Sequence, residues 1–158
     1  MKMSGTGMGT VSAISTTLLF VWACGAFASE KQVKLKDLPK AVQKTVQEQT
    51  SGAKLVGLSK ETENGKVIYE VETTVNGRTR DLLIDAKGEV VEVEEEVALD
   101  SLPPAIKSEI QAHADKIIKV ETVTKSGKLE FYEAQVQKNR KKAEVQVTPD
   151  GKLITKKK

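Results

Sequence analysis

Mostly apolar side chains recur with helical spacing in two segments of the chain, residues 38–49 and 102–113. In both segments they stand at i, i+3, i+4, i+7, i+8 and i+11, which together form one face of an α-helix. Asp37 and Ser101 precede the segments and are residue types that cap helix N-termini. The pattern predicts two amphipathic helices that begin after these caps. Their predicted inner faces are Leu38, Ala41, Val42, Thr45, Val46 and Gln49, and Leu102, Ala105, Ile106, Glu109, Ile110 and His113.

Runs of alternating apolar and polar residues, which are typical of β-strands, follow each predicted helix. Asn64-Gly65 and Asn76-Gly77 predict two-residue hairpins, because both turn positions need positive φ. Asn139-Arg140 stands in the second set where Asn76-Gly77 stands in the first, so it predicts either a left-handed arginine or a looser loop. The predicted strands are 54–62, 66–75, 79–85 and 89–97 after the first helix, and 117–125, 128–137, 142–148 and 151–155 after the second.

The two sets of elements are copies of one unit. Leu38-Pro39 recurs as Leu102-Pro103, and Tyr69-Glu70 recurs as Tyr132-Glu133, at offsets of 64 and 63 residues. We predict an α+β fold of two tandem α-β-β-β-β repeats, in which antiparallel meander sheets carry one helix per repeat packed on one face. Units this small need to dock into one continuous or paired sheet to bury enough apolar surface. The predicted boundaries are a signal peptide at 1–28, a linker at 29–36, and repeats at 37–98 and 99–158.

Short motifs recur in both predicted repeats and carry a family resemblance. They are Leu38-Pro39, Gly65–Val71, Asp85–Gly88, Leu102-Pro103, Gly127–Glu133 and Asp150-Gly151. With them the chain resembles the PepSY-like family of exported proteins, which is related in fold to the beta-lactamase inhibitor protein. The resemblance implies an extracytoplasmic binding or inhibitory module and not an enzyme, because PepSY domains proper are associated with the restraint of secreted peptidases.

The first 28 residues have the organisation of a secretory signal peptide. Lys2 is the only charged residue there, residues 11–26 are mostly apolar or small, and Ala26-Phe27-Ala28 places small residues at −3 and −1. We expect cleavage after Ala28 and a periplasmic or secreted product. Two alternatives remain open, an uncleaved anchor helix and lipoprotein processing at Cys24, and only these would attach the chain to a membrane.

The composition excludes several kinds of chemistry. Cys24 is the only cysteine and every methionine precedes it, so the predicted mature chain has no sulfur for disulfides, thiolate metal sites or cysteine catalysis. The 25 Lys and Arg residues against 22 Asp and Glu are too even for a nucleic-acid binder without a clustered basic face. We interpret the single histidine, His113, as a helix-end imidazole paired with Glu109. We predict no catalytic residues, no metal, no cofactor and no nucleic-acid partner.

An acidic run occupies the last predicted strand of the first repeat. Apolar residues alternate there with Glu92, Glu94 and Glu96, so one strand face carries three carboxylates. Such a face is either a weak Ca²⁺ site or a patch that faces a basic partner, or it has no function beyond solubility. Because no Asp-rich loop accompanies the run, we favour a solvated strand face whose charge also blocks edge-to-edge pairing.

The strand alternation also predicts a binding surface, because three apolar residues interrupt the polar side of the sheet. Apolar residues rimmed by Glu and Gln are typical of a protein-binding face. We predict a non-catalytic binding module for a protein or peptide of the cell envelope, such as a peptidase that it inhibits or modulates. The alternative is a structural or scavenging envelope protein that binds polymers or cations by charge. The predicted partner-binding residues are Ile68, Glu70, Glu72, Leu83, Phe131, Glu133 and Gln135.

Overall fold

The computed structural model describes residues 31–155 with the exception of residue 64. The predicted signal peptide, its cleavage site and Cys24 lie outside the described residues, as do Asn64 of the first predicted hairpin and residues 156–158. Within the described part, neither helix is long and apolar enough to span a membrane.

Two α-helices and eight β-strands form in the described part of the chain. Helix α1 spans Lys40–Gln49 and helix α2 spans Pro104–Ala112. One-turn 3₁₀ helices, Leu35–Asp37 and Leu99–Ser101, precede them. The strands are β1 Lys31–Gln32, β2 Lys54–Glu63, β3 Lys66–Val75, β4 Arg78–Asp85, β5 Val90–Glu96, β6 Lys116–Lys125, β7 Lys128–Lys138 and β8 Lys141–Val147.

The eight strands form one antiparallel sheet in which spatial order follows chain order. Short turns join β2 to β5 and β6 to β8, whereas β5 and β6 pair directly although α2 lies between them in the chain. The α+β class and the antiparallel meander are confirmed.

One detail of the predicted repeat differs from the structure. The strand predicted at 151–155 is wrong, because only a single bridge between Val147 and Leu153 forms there, with too few hydrogen bonds for a ladder.

Strand β1 lies within the segment predicted as a linker. It pairs with Ser59 and Lys60 and so satisfies backbone groups at the edge of β2.

Both helices begin later than the sequence pattern predicts. In the Leu-Pro pairs at 38–39 and 102–103, each leucine is extended, with ψ of 157° and 147°. The proline ring clashes with a preceding residue in the helical conformation, so the helix starts only after the proline. The prolines therefore occupy the N-cap positions. Asp37 and Ser101 end the 3₁₀ turns instead, and their prediction as N-caps is wrong.

Both helices pack on the same face of the sheet and form two apolar clusters. Helix α1 covers β2 to β4 and α2 covers β6 to β8. The predicted inner faces are too wide, because Ala41, Gln49, Ala105 and His113 are exposed. On each short helix only a narrow row of apolar side chains faces the sheet. The clusters consist of Leu38, Val42, Val46, Leu58, Tyr69, Val71, Leu82 and Ile84, and of Leu102, Ile106, Ile110, Val120, Ala134, Val136, Val145 and Val147.

Left-handed residues close the turns. Asn139 and Arg140 have φ of 50° and 63°, which confirms the left-handed arginine. Gly88, with φ of 89°, meets a second requirement, since a Cβ there would lie 2.8 Å from the carbonyl carbon of Ala41. The hydroxyl of Thr45 also donates to the carbonyl oxygen of Gly88 at 2.6 Å. The turn between β4 and β5 is thus held directly against α1.

Candidate functional site on the open sheet face

The face of the sheet opposite the two helices, here called the open face, carries the whole predicted partner-binding set. Core residues such as Val71 on β3 and Ala134 on β7 point to the helices, so the residues beside them point away. The role of the predicted partner-binding residues in binding a partner stays a prediction. The half-buried set on the open face comprises Ile68, Glu70, Glu72, Leu83, Phe131, Glu133 and Gln135.

The apolar members of this set do not form one patch. Leu83 on β4 lies between Glu70 on β3 and Glu92 on β5. Phe131 on β7 lies opposite Val123 on β6. The strands between Leu83 and Phe131 present carboxylates to the same face, so the centre of the open face is acidic.

A cluster of three carboxylates, here called the carboxylate cluster, lies at this centre. It consists of Asp81, Glu94 and Glu121, whose nearest carboxylate oxygens all lie within 4.8 Å of one another. The three residues are only 4%, 9% and 1% exposed. Acidic residues are rarely buried unless they are paired or bind a cation, so this cluster is the feature of the open face that most needs an explanation.

The strand register brings the three residues together. Asp81 on β4 lies opposite Glu94 on β5. Two residues further along β5, Glu96 lies opposite Glu121 on β6. Residues two apart share a face of a strand, so one carboxylate from each of three adjacent strands meets at the same place.

The three carboxylates differ in their hydrogen bonds. Asp81 accepts a bond from the backbone N–H of Thr73 at 3.3 Å. Glu121 forms an ion pair with Lys119, with 2.6 Å between Nζ and Oε1, and accepts a bond from the hydroxyl of Thr79 at 3.3 Å. Glu94 has no hydrogen bond or ion pair with any residue that the structure describes.

Burial makes the cluster costly to ionise. Burial raises the pKa of Asp81 to about 6. Burial, followed by repulsion from Glu121, raises the pKa of Glu94 to about 9. On the neighbouring strand, burial also raises the pKa of Glu133 to about 7, against a hydrogen bond from Gln146. Near neutral pH the carboxyl group of Glu94 therefore carries a proton.

The interpretation of the acidic run as a solvated strand face is wrong. Glu92 and Glu94 are buried, and Glu92 forms an ion pair with Lys125 at 3.2 Å. The run cannot protect an edge either, because β5 is a central strand paired with β4 and β6. Sequence reasoning also missed Asp81 and Glu121 as cluster members. Alternation places Asp81 on the open face. Its contact with Glu121, however, depends on the pairing of β5 with β6, and the sequence does not predict that pairing because α2 lies between these strands in the chain.

His113 has the place that the sequence predicts. It ends α2 as the C-cap residue, and its Nε2 lies 3.2 Å from Oε1 of Glu109 one turn earlier. The pair lies on the helix side of the molecule, away from the open face, and it contributes nothing to the carboxylate cluster.

The fold and the face define a class of protein, a one-sided antiparallel sheet that is backed by two helices and carries an acidic open face. The sequence model of the family described as "Putative beta-lactamase-inhibitor-like, PepSY-like" matches residues 26–91 and 67–155. The chain belongs to this family, which confirms the resemblance found in its motifs.

Solved structures from Bacteroides species share the fold. A protein from Bacteroides eggerthii, named as a putative periplasmic protein, has a TM-score of 0.60 and 19% identity over 75% of this chain and 86% of its own. A DUF2874 family protein from Bacteroides ovatus has a TM-score of 0.57 and 22% identity over 75% and 85%. A BLIP-like protein from Bacteroides fragilis has a TM-score of 0.55 and 18% identity over 76% and 85%. No curated protein matches the sequence significantly.

Proposed function

We propose that the chain is an exported, non-catalytic binding module that holds a protein partner on its open face. The observation that carries the proposal is the one-sided architecture. Both described helices cover one face of an eight-stranded sheet, while the other face presents apolar and acidic side chains together. The partner we propose is a secreted or periplasmic enzyme, such as a peptidase, which the chain inhibits or modulates. The family description, beta-lactamase-inhibitor-like, supports this role.

Export is part of the proposal. The first 28 residues end in Ala26-Phe27-Ala28, the small-x-small pattern of a cleaved signal peptide, and a structural relative is named as a putative periplasmic protein. We therefore place the chain in the periplasm or outside the cell, with lipoprotein processing at Cys24 as the alternative route.

The charge of the open face specifies the chemistry of the partner. The whole chain has a formal charge of +3, yet the central rows of this face carry mainly carboxylates, with Lys119 and Lys125 among them. Such a face complements a protein surface that presents Lys or Arg beside apolar side chains. Leu83 and Phe131 flank the acidic centre and supply the apolar contacts.

Affinity capture with matched variants tests the proposal. The mature chain, Phe131→Asp, Leu83→Asp and the control Gln111→Asp, on the exposed side of α2, are immobilised and exposed to an extract of the cell envelope. The captured protein is identified, its affinity for each variant is measured by calorimetry, and its enzymatic activity is assayed with and without the chain. Circular dichroism confirms that each variant is folded.

The proposal expects one protein to bind the wild type and Gln111→Asp alike, and both open-face variants to bind at least about tenfold more weakly. It also expects the complex to weaken but persist at high salt, because salt screens the charge contacts and leaves the apolar contacts intact. Equal capture by both open-face variants would overturn it. Binding that disappears in high salt and is indifferent to Phe131→Asp and Leu83→Asp would instead support the charge-driven scavenging alternative.

A further inference from the structure

We infer that Asp81, Glu94 and Glu121 form a binding site for a hard divalent cation, with Ca²⁺ as the preferred ion. The inference concerns the isolated chain and does not depend on the proposed protein partner. It rests on the geometry of the carboxylate cluster, on the burial of Glu94 without a partner, and on the charge that surrounds the three residues.

The geometry of the cluster fits Ca²⁺. One carboxylate oxygen from each residue lies within 4.8 Å of the other two. Two oxygens on opposite sides of a Ca²⁺ ion, each about 2.4 Å from it, are separated by about that distance. The donors are oxygen atoms only, which favours Ca²⁺ or Mg²⁺ over zinc or copper. The hydroxyl of Thr79, 3.3 Å from Glu121, adds a neutral oxygen beside the site.

Glu94 supplies the observation that distinguishes this cluster from an ordinary acidic surface. Its side chain is nine-tenths buried, with 9% exposure, and lies among the oxygens of Asp81 and Glu121. No described residue donates a hydrogen bond to it or forms an ion pair with it. Its oxygens keep some contact with solvent, since none of the described buried side-chain oxygens lacks a partner. A cation between the three residues would replace that water and give Glu94 a partner within the protein.

The surrounding charges leave a net attraction for a divalent ion. A cation can bind Glu94 only by displacing the proton that this residue carries near neutral pH. Lys119 already pairs with Glu121 at 2.6 Å, so after that release three ionised carboxylates and one ammonium group carry a formal charge of −2. Glu72 faces Asp81 from β3, and Glu133 faces Glu121 from β7, which adds to the negative potential. The other charged neighbours on this face are the Glu92–Lys125 ion pair and Glu96, and the apolar Val123 lies directly opposite Glu94.

Calorimetry and thermal unfolding of the mature chain with CaCl₂ or MgCl₂ test the inference, with NaCl at equal ionic strength as the reference. Extracellular Ca²⁺ modules bind with Kd values of about 10⁻⁴ to 10⁻³ M, so the titration extends about tenfold beyond that range. The variant is Glu94→Gln, which keeps the size of the side chain. The control is Glu130→Gln, at an exposed position on β7. Both proteins are first shown to unfold cooperatively.

The expected result is a saturable heat and a rise in Tm with Ca²⁺ in the wild type and in Glu130→Gln, and a Kd at least about tenfold higher in Glu94→Gln. Three outcomes would overturn the inference: no saturable binding, a response that NaCl reproduces, or equal affinity in Glu94→Gln and the wild type. Because the assay contains no partner, its failure would leave the proposed protein-binding function standing, and the capture experiment would not decide the cation site.

Discussion

Glu94→Gln is expected to stabilise the metal-free protein near neutral pH. The pKa of Glu94 rises from its ordinary value of 4.5 to about 9, first through burial and then through repulsion from Glu121. The native state must therefore take up a proton that the unfolded chain lacks near pH 7. Glutamine is neutral in both states and has nearly the same shape, so the variant avoids this cost.

The magnitude and its sign follow from proton linkage. When folding raises the pKa of a carboxyl group, the free energy of unfolding is highest below the pKa of the unfolded state. It falls as the pH rises from that pKa towards the pKa of the folded state. Each pH unit in that window is worth about 1.4 kcal/mol, so from 4.5 to neutral pH the cost reaches about 3 kcal/mol. A gain of that size corresponds to roughly 10 °C in Tm for a domain of this length.

Urea unfolding with a chelator present, near pH 7 and below pH 4.5, provides the measurement. Glu94→Gln should exceed the wild type by up to about 3 kcal/mol near neutrality and match it in acid. Glu130→Gln should follow the wild type at both pH values, since this residue is exposed. A variant that is less stable near pH 7, or whose advantage is the same at both pH values, would refute the reasoning.

Three further substitutions test the packing. Gly88→Ala should destabilise the fold by about 2 kcal/mol more than Gly127→Ala, because both glycines are left-handed but, of the two, only Gly127 has open space for a Cβ. Equal losses of stability in urea unfolding would contradict the contact between Gly88 and α1. Ile106→Ala should cost about 2 to 5 kcal/mol in the same assay, because the side chain is fully buried; a loss below 1 kcal/mol, by the same rule, would contradict this. Lys119→Met should cost about 3 kcal/mol near neutral pH, because it leaves Glu121 buried without its ion-pair partner; a neutral effect would contradict the pair.

Local patterns were sufficient to predict most of the secondary structure. Alternation and turn dipeptides place seven of the eight strands within about two residues of the observed bounds, because each hairpin depends on neighbouring residues alone. The helix starts were mispredicted because the Leu-Pro pair is a stronger local constraint than the polar residue before it. The strand predicted at 151–155 was wrong, because an alternating pattern over five residues does not determine whether a ladder of hydrogen bonds forms.

The candidate site could be predicted only in part, for a different physical reason. Alternation along β5 shows that Glu92, Glu94 and Glu96 share one face, but not whether that face is solvated. Their burial depends on β5 being central, and that depends on its pairing with β6 across the α2 connection. The sequence pattern does not show how strands that are distant in the chain pair. It therefore could not predict that Asp81 and Glu121 lie beside the acidic run.

The carboxylate cluster forms where the two halves of the sheet meet, and among the described residues neither half contains such a cluster within itself. Ser59 on β2 occupies the place in the first half that Glu121 occupies on β6, each opposite the Glu of the repeated Tyr-Glu pair. Glu144 lies 63 residues after Asp81 but is exposed on the last long strand. Glu94 lies on β5, whose counterpart is only a bridge. The two apolar clusters, one beneath each helix, stabilise the two halves. The junction adds a buried acidic group that lowers stability, and such a departure from apolar packing is expected where a protein binds a ligand.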